Sequence, residues 1–215
     1  VSVKREYTSE LRAAQARETR RAIVAEAARL FVQDGYGATT IDAIAEAAGV
    51  SRKTVFTSAG GKVDLLKLAL DWAVVGDDDP VPLAERPSVH DIGRLSDPHA
   101  IIAGYVSVVA DIDRRIAPLS AALVVAAGID AQARALREQT AAQRLAGARA
   151  FVRHLAHHGG LAADLHAGAA ADIAWVHSDP ALYRWLVLER RWSHQRFQTW
   201  LQRTLTLQFR GEDSP

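Results

Sequence analysis

The stretch TTIDAIAEAAGVSRKTVF, residues 39–56, constrains this chain more than any other. Its apolar positions Ile41, Ile44, Ala45 and Ala48 fall at helical spacing, and Thr40 stands where a capping side chain is wanted. Gly49 permits the left-handed backbone that closes a helix, and Val50 fills the crook of the turn. Ser51 caps a second helix whose first turn carries Arg52 and Lys53. Two short helices at a tight corner, the second opening on basic residues, form a helix-turn-helix suited to a DNA major groove.

The chain has 215 residues, enough for one large or two small cores. No run reaches the roughly 18 apolar residues of a membrane span. Arg and Glu interrupt the first residues, so no signal peptide is expected, and the absence of Cys excludes disulfide and thiolate chemistry. Both readings fit a cytoplasmic protein. The net charge of +1 conceals an asymmetry: residues 1–62 hold ten Lys/Arg against seven Asp/Glu, whereas the rest hold sixteen against eighteen. That is the sign DNA binding requires.

Apolar periodicity predicts helices throughout. Residues 1–16 read as a mobile arm or a frayed leading helix. A helix from Arg17 ends at Asp34-Gly35-Tyr36-Gly37, and another starts near Lys62 with the stripe Leu65, Leu66, Ala69, Trp72 and Ala73. Asp77-Asp78-Asp79 and four prolines mark residues 76–98 as a long solvated linker. Asp97-Pro98 and Asp179-Pro180 read as helix starts, Pro118 as an interruption, and Asp130 as the cap of a long helix reaching His157. No segment alternates like a strand. The expected fold is all-α: a head over 1–61 and a helical domain over 62–215, with 62–75 as connecting helix.

The chain resembles the TetR family of bacterial transcription regulators over Gly35-Tyr36-Gly37-Ala38-Thr39-Thr40-Ile41, Ile44 to Ser51, Thr54-Val55-Phe56, and Lys62 with Leu65-Leu66. The resemblance implies a homodimer with a three-helix head on double-stranded DNA and a small-molecule effector in the C-terminal domain. It implies phosphate contacts from Thr40, Ser51, Lys53, Thr54 and Lys62, with Arg52, Phe56, Thr57 and Ser58 facing or flanking the bases. The run Phe56-Thr57-Ser58-Ala59 departs from the aromatic-rich end usual in the family. Anchoring therefore shifts toward Lys62, the Gly60-Gly61 amides and Arg12, Arg17, Arg20 and Arg21. The competing class is a helical ligand-binding or scaffold protein with impaired DNA binding.

In the C-terminal half, Tyr105, Leu119, Leu123 and Phe151 are the candidate effector-pocket residues. Phe197, Trp200, Leu201 and Leu205 on the last helix are the candidate dimer seam. His154, His157 and His158 share one helix face, a spacing able to hold zinc, but cationic side chains also suit a helix C-terminus, and no metal or other cofactor is expected. No phosphate loop, nucleophile elbow or acid pair stands out, so an enzyme is not expected.

Overall fold

The computed structural model describes the backbone of residues 2–210 and the side chains of residues 11–210. Among these it is all-helical. The head comprises α1 (Ser2–Gln33), α2 (Ile41–Ala47) and α3 (Arg52–Ala59), followed by α4 (Lys62–Val75). The remainder consists of α5 (Pro87–Ile92), α6 (Pro98–Ile129), α7 (Ala131–His157), α8 (Ala167–His177), α9 (Pro180–Tyr183) and α10 (His194–Arg210). Between α9 and α10 lies a π-helical turn, Arg184–Glu189, in which the Arg190 amide reaches back to the Trp185 carbonyl.

Local chemistry explains most boundaries. Asp97 accepts from the Ala100 amide at 2.8 Å and Pro98 opens α6, where its missing amide hydrogen costs nothing. Asp130 caps α7 through the Gln132 and Ala133 amides, and Asp179 caps α9 through that of Ala181. Of the two readings of the first residues, the leading helix is the one found: α1 is continuous from Ser2. Two expectations are corrected. Helix α6 runs through Pro118, because packing on α4, α7, α9 and α10 holds both halves in line. The linker contains α5, and its acidic run is not merely solvated. Arg86 grips Asp77 at 2.6 and 2.7 Å, and Arg21 grips Asp78 at 2.7 Å through Nε.

Two apolar cores form. The first joins Ile23, Phe31, Ile44, Val55, Leu65 and Leu66 of the head and α4 to Leu119, Leu123 and Ala126 of α6. The second gathers Ile101, Ile102, Val106, Phe151 and Leu155 around Phe197, Leu201, Leu205 and Phe209. Helix α6 contributes to both and so ties the head to the C-terminal domain. Arg115 adds a polar tie, donating to the Ala73 and Val74 carbonyls at 2.6 and 2.8 Å at the open end of α4.

Candidate nucleic-acid interface

The corner is built as a helix-turn-helix. Thr40 Oγ1 accepts from the Ala43 amide at 3.1 Å, and Ser51 Oγ accepts from the Thr54 amide at 3.0 Å. Such caps contribute about 1 kcal/mol each. Gly49 has φ +66°, the left-handed conformation that favours glycine there. Val50 packs into the head core, and its amide closes the turn on the Ala45 carbonyl.

Val55 and Ala59 pin α3 to the core, leaving Arg52, Lys53, Phe56 and Thr57 exposed, with Thr54 and Ser58 half-buried. This face of α3 offers two cations, an aromatic ring and hydroxyls, a set able to bond phosphates and base edges. Arg52 is held at rest. Its Nη1 lies 2.8 Å from Asp42 Oδ2 on α2, and its guanidinium sits 5.7 Å from the Phe56 ring centre. Thr57 Oγ1 donates to its own helix, to the Lys53 carbonyl at 3.0 Å, and must rotate to face DNA.

Lys62 is not extended. Its ammonium lies 4.2 Å from the Tyr36 ring centre and 3.5 Å from the Gly37 carbonyl. Partial burial lowers its pKa, opposed by the charge of Asp130. Of the expected arm arginines, Arg12, Arg17 and Arg20 are exposed, whereas Arg21 is committed to Asp78. The Arg52–Asp42 and Arg21–Asp78 pairs each join two separate segments, so no local spacing in the sequence marks them.

The four expected pocket residues separate into two places. Tyr105 stacks on Phe151 with ring centres 3.8 Å apart and planes 7° from parallel. Burial pushes the Tyr105 phenol up to about 12, with the Ser178 hydroxyl opposing. Leu119 and Leu123 lie instead in the core shared with the head, so they do not share a wall with Tyr105. A groove of about 130 Å³ between α6 and α10, lined by Ser107, Gln195, Gln198, Thr199 and Gln202, touches none of the four.

The expected seam is also corrected. Phe197, Leu201 and Leu205 are each 0% exposed within one chain, so they close its own core and cannot face a partner. Trp200 alone of the four is half-exposed, against Trp192 and His177. In the histidine cluster, His154 Nε2 lies 3.0 Å from the Leu95 carbonyl, and His158 contacts both neighbours edge-on. Burial, then the charges of His154 and His157, lowers the His158 pKa. Among the described residues, no group of three His, Cys, Asp or Glu is arranged to hold a metal ion. Nor is any helix there long and apolar enough to cross a membrane.

One residue was missed altogether. Asp113 is 2% exposed on the inner stripe of α6, and its Oδ2 has no hydrogen-bond partner among the described residues. The signal was a single carboxylate in register with Val106, Val109 and Ala117 on an otherwise apolar face.

The structure thus presents a capped helix-turn-helix with a basic exposed helix, carried on a larger helical domain. Residues 23–69 match the family described as "Bacterial regulatory proteins, tetR family". A 58-residue stretch is 41% identical to "Uncharacterized HTH-type transcriptional regulator TtgW" of Pseudomonas putida, covering 27% of this chain and 43% of that one. The chain thus matches less than half the length of that curated relative.

The fold of the whole chain is similar to FadR, a fatty acid degradation regulator of Bacillus halodurans (TM-score 0.66, 14% identity, 89% of this chain and 97% of that one). It is similar also to NalD of Pseudomonas aeruginosa, described as the secondary repressor of the MexAB-OprM multidrug efflux pump (TM-score 0.62, 17% identity, 94% and 100%). Residues 23–69 thus match the DNA-binding unit of the TetR family, and the chain shares its overall fold with these two solved structures.

Proposed function

We propose that this protein is a cytoplasmic, non-catalytic, ligand-responsive regulator, a repressor that binds a near-palindromic operator as a homodimer and is released by a small-molecule effector. The observation that carries the DNA reading is the exposed face of α3, where Arg52, Lys53, Phe56 and Thr57 project from a helix fixed at its N-terminus by Ser51. Thr40, Ser51, Lys53, Thr54 and Lys62 serve phosphates, and Arg52, Phe56, Thr57 and Ser58 serve or flank the bases. Phosphates supply most of the affinity and base edges the sequence preference.

The dimer seam lies on the outer faces of α8 and α10. Val176 is 52% and Leu207 46% exposed there, beside half-buried Ile173 and Trp200, a patch that a two-fold axis can use twice. Release requires an effector that binds the non-binding geometry more tightly than the DNA-bound one. Helix α6, shared by both cores, carries the change.

Selection of bound duplexes from a random DNA pool tests this reading. The expected result is a two-fold symmetric motif whose halves are spaced by about one helical turn or slightly more. No enrichment at low or moderate salt overturns it and favours a helical ligand-binding protein without DNA function. With the operator in hand, loss of the retarded complex on adding candidate effectors tests ligand response separately.

A further inference from the structure

Asp113 is anomalous for a structural residue. It sits in the middle of α6 between Val109, Ala110 and Ala117, all buried, and none of the described residues donates to its Oδ2. The nearby charges are already occupied. Arg144 of α7 pairs with Asp179 Oδ2 at 2.7 Å, donates to the Ser178 carbonyl at 3.3 Å, and lies 5.1 Å from the Trp175 ring centre. Tyr183 of α9 has its hydroxyl 3.0 Å from His194 Nδ1 of α10. Tyr105 lies one stretch of α6 away, flat on Phe151.

A buried carboxyl oxygen with no donor is costly unless something supplies one. Aromatic surfaces on α6, α7 and α8, namely Tyr105, Phe151 and Trp175, border the same region of the second core.

We propose that Asp113 anchors the effector, and that the effector is a lipophilic amine whose protonated nitrogen pairs with the Asp113 carboxylate while its apolar body lies against Tyr105, Phe151 and Trp175. The assignment rests on the effector-domain reading above and adds the ligand's chemical class to it. Burial keeps the free carboxyl protonated well above the ordinary carboxylate range, with Arg144 opposing and Asp179 reinforcing this. Binding an ammonium therefore ionises Asp113 and sends its proton to solvent, and the ligand nitrogen keeps its own. Because α6 also packs on the head through Leu119, Leu123 and Ala126, a ligand seated at Asp113 acts on the helix that reaches the DNA-binding unit.

Calorimetry on the full-length chain tests this with 4-phenylbutylamine and its neutral counterpart 4-phenylbutan-1-ol. The amine is expected to bind wild type at least about tenfold tighter than the alcohol, a preference equal to about 1.4 kcal/mol. Its heat should vary with buffer ionisation enthalpy as Asp113 gives up its proton. In Asp113→Asn the preference and the buffer dependence vanish while alcohol affinity stays within about twofold. Helical circular dichroism and retained operator binding show that the variant is folded, and Asp113→Leu, which removes the carboxyl outright, is expected to behave alike toward the amine. Equal binding of amine and alcohol by wild type, or an amine preference that survives in Asp113→Asn, overturns the Asp113 assignment and leaves the effector-domain reading standing. Binding of neither compound also overturns the assignment, and the effector-domain reading is then decided by the operator-release assay alone.

Discussion

The Tyr36 hydroxyl donates to Asp130 Oδ2 at 2.8 Å, joining the loop ahead of the helix-turn-helix to the cap of α7. Tyr36 is 3% exposed and its ring carries Lys62, so three segments far apart in sequence meet at one point between head and C-terminal domain. Burial, then the bond to Asp130, holds the Tyr36 phenol above its ordinary pKa. The same bond, then the α7 amides, holds Asp130 below the usual carboxylate range.

Tyr36→Phe removes that bond and little else. Urea unfolding should show a loss of about 1 kcal/mol. A depressed folded pKa gives Asp130 a contribution that is complete above the unfolded value of about 3.9 and lost as pH falls through the folded one. The acid limb of the stability profile should therefore be shallower in Tyr36→Phe. An identical acid limb would show that the bond does not persist in solution.

Lys62 should exchange its seat over Tyr36 for a phosphate when DNA arrives, since an ammonium gains more from a phosphate than from a ring face. Lys62→Ala is then expected to reduce the slope of log K against log salt by about one. An unchanged slope would leave Lys62 as a brace of the Tyr36 loop.

If Arg52 reads DNA as proposed, Asp42 should compete for its guanidinium. The pair is exposed on both sides, so breaking it should change stability by less than about 0.5 kcal/mol. Asp42→Ala frees the guanidinium and removes one negative charge from the interface. Operator affinity should rise roughly threefold to tenfold at low salt, with the gain shrinking at high salt as screening grows. Weaker binding would mean that Asp42 orients Arg52 for readout.

The head was legible because each of its devices is local. Thr40, Gly49 and Ser51 lie within a few residues of the groups they satisfy, and their spacing announces them. The C-terminal half was legible as helices with their caps, Asp97, Asp130 and Asp179, but not as surfaces. The stripe Phe197, Trp200, Leu201 and Leu205 told correctly that one face of α10 is buried. It carried no information on whether the covering helix belongs to the same chain. Leu119 and Leu123 were misplaced for a related reason: one long helix serves two cores, and the sequence does not mark where one ends. The π-helical turn after α9 depends on tertiary packing and has no local signature.

The proposed seam makes a sharp contrast between two faces of the α8–α10 pair. Val176→Glu and Leu207→Glu place charge on the exposed patch and should yield folded monomers, seen as halved mass in light scattering with unchanged helix content. Leu201→Ala opens the interior of one chain instead and should cost about 2–5 kcal/mol. A dimer that withstands both glutamates would move the seam elsewhere.

Asp113 sets the last expectation, and it concerns the protein without ligand. An acid whose folded pKa is raised keeps its proton in the native state after the unfolded chain has lost one. Stability therefore falls as pH rises from about 4, and continues to fall until the folded group ionises. Asp113→Asn cannot titrate, so its stability should decline less between pH 4 and 8 than that of wild type. Asp113→Leu also removes the desolvation cost of the carboxyl and should be more stable than wild type at pH 8. Urea midpoints at four pH values decide the matter. Parallel profiles for wild type and Asp113→Asn would mean that the carboxyl finds a donor in solution, and the argument for a ligand at that position would lose its starting point.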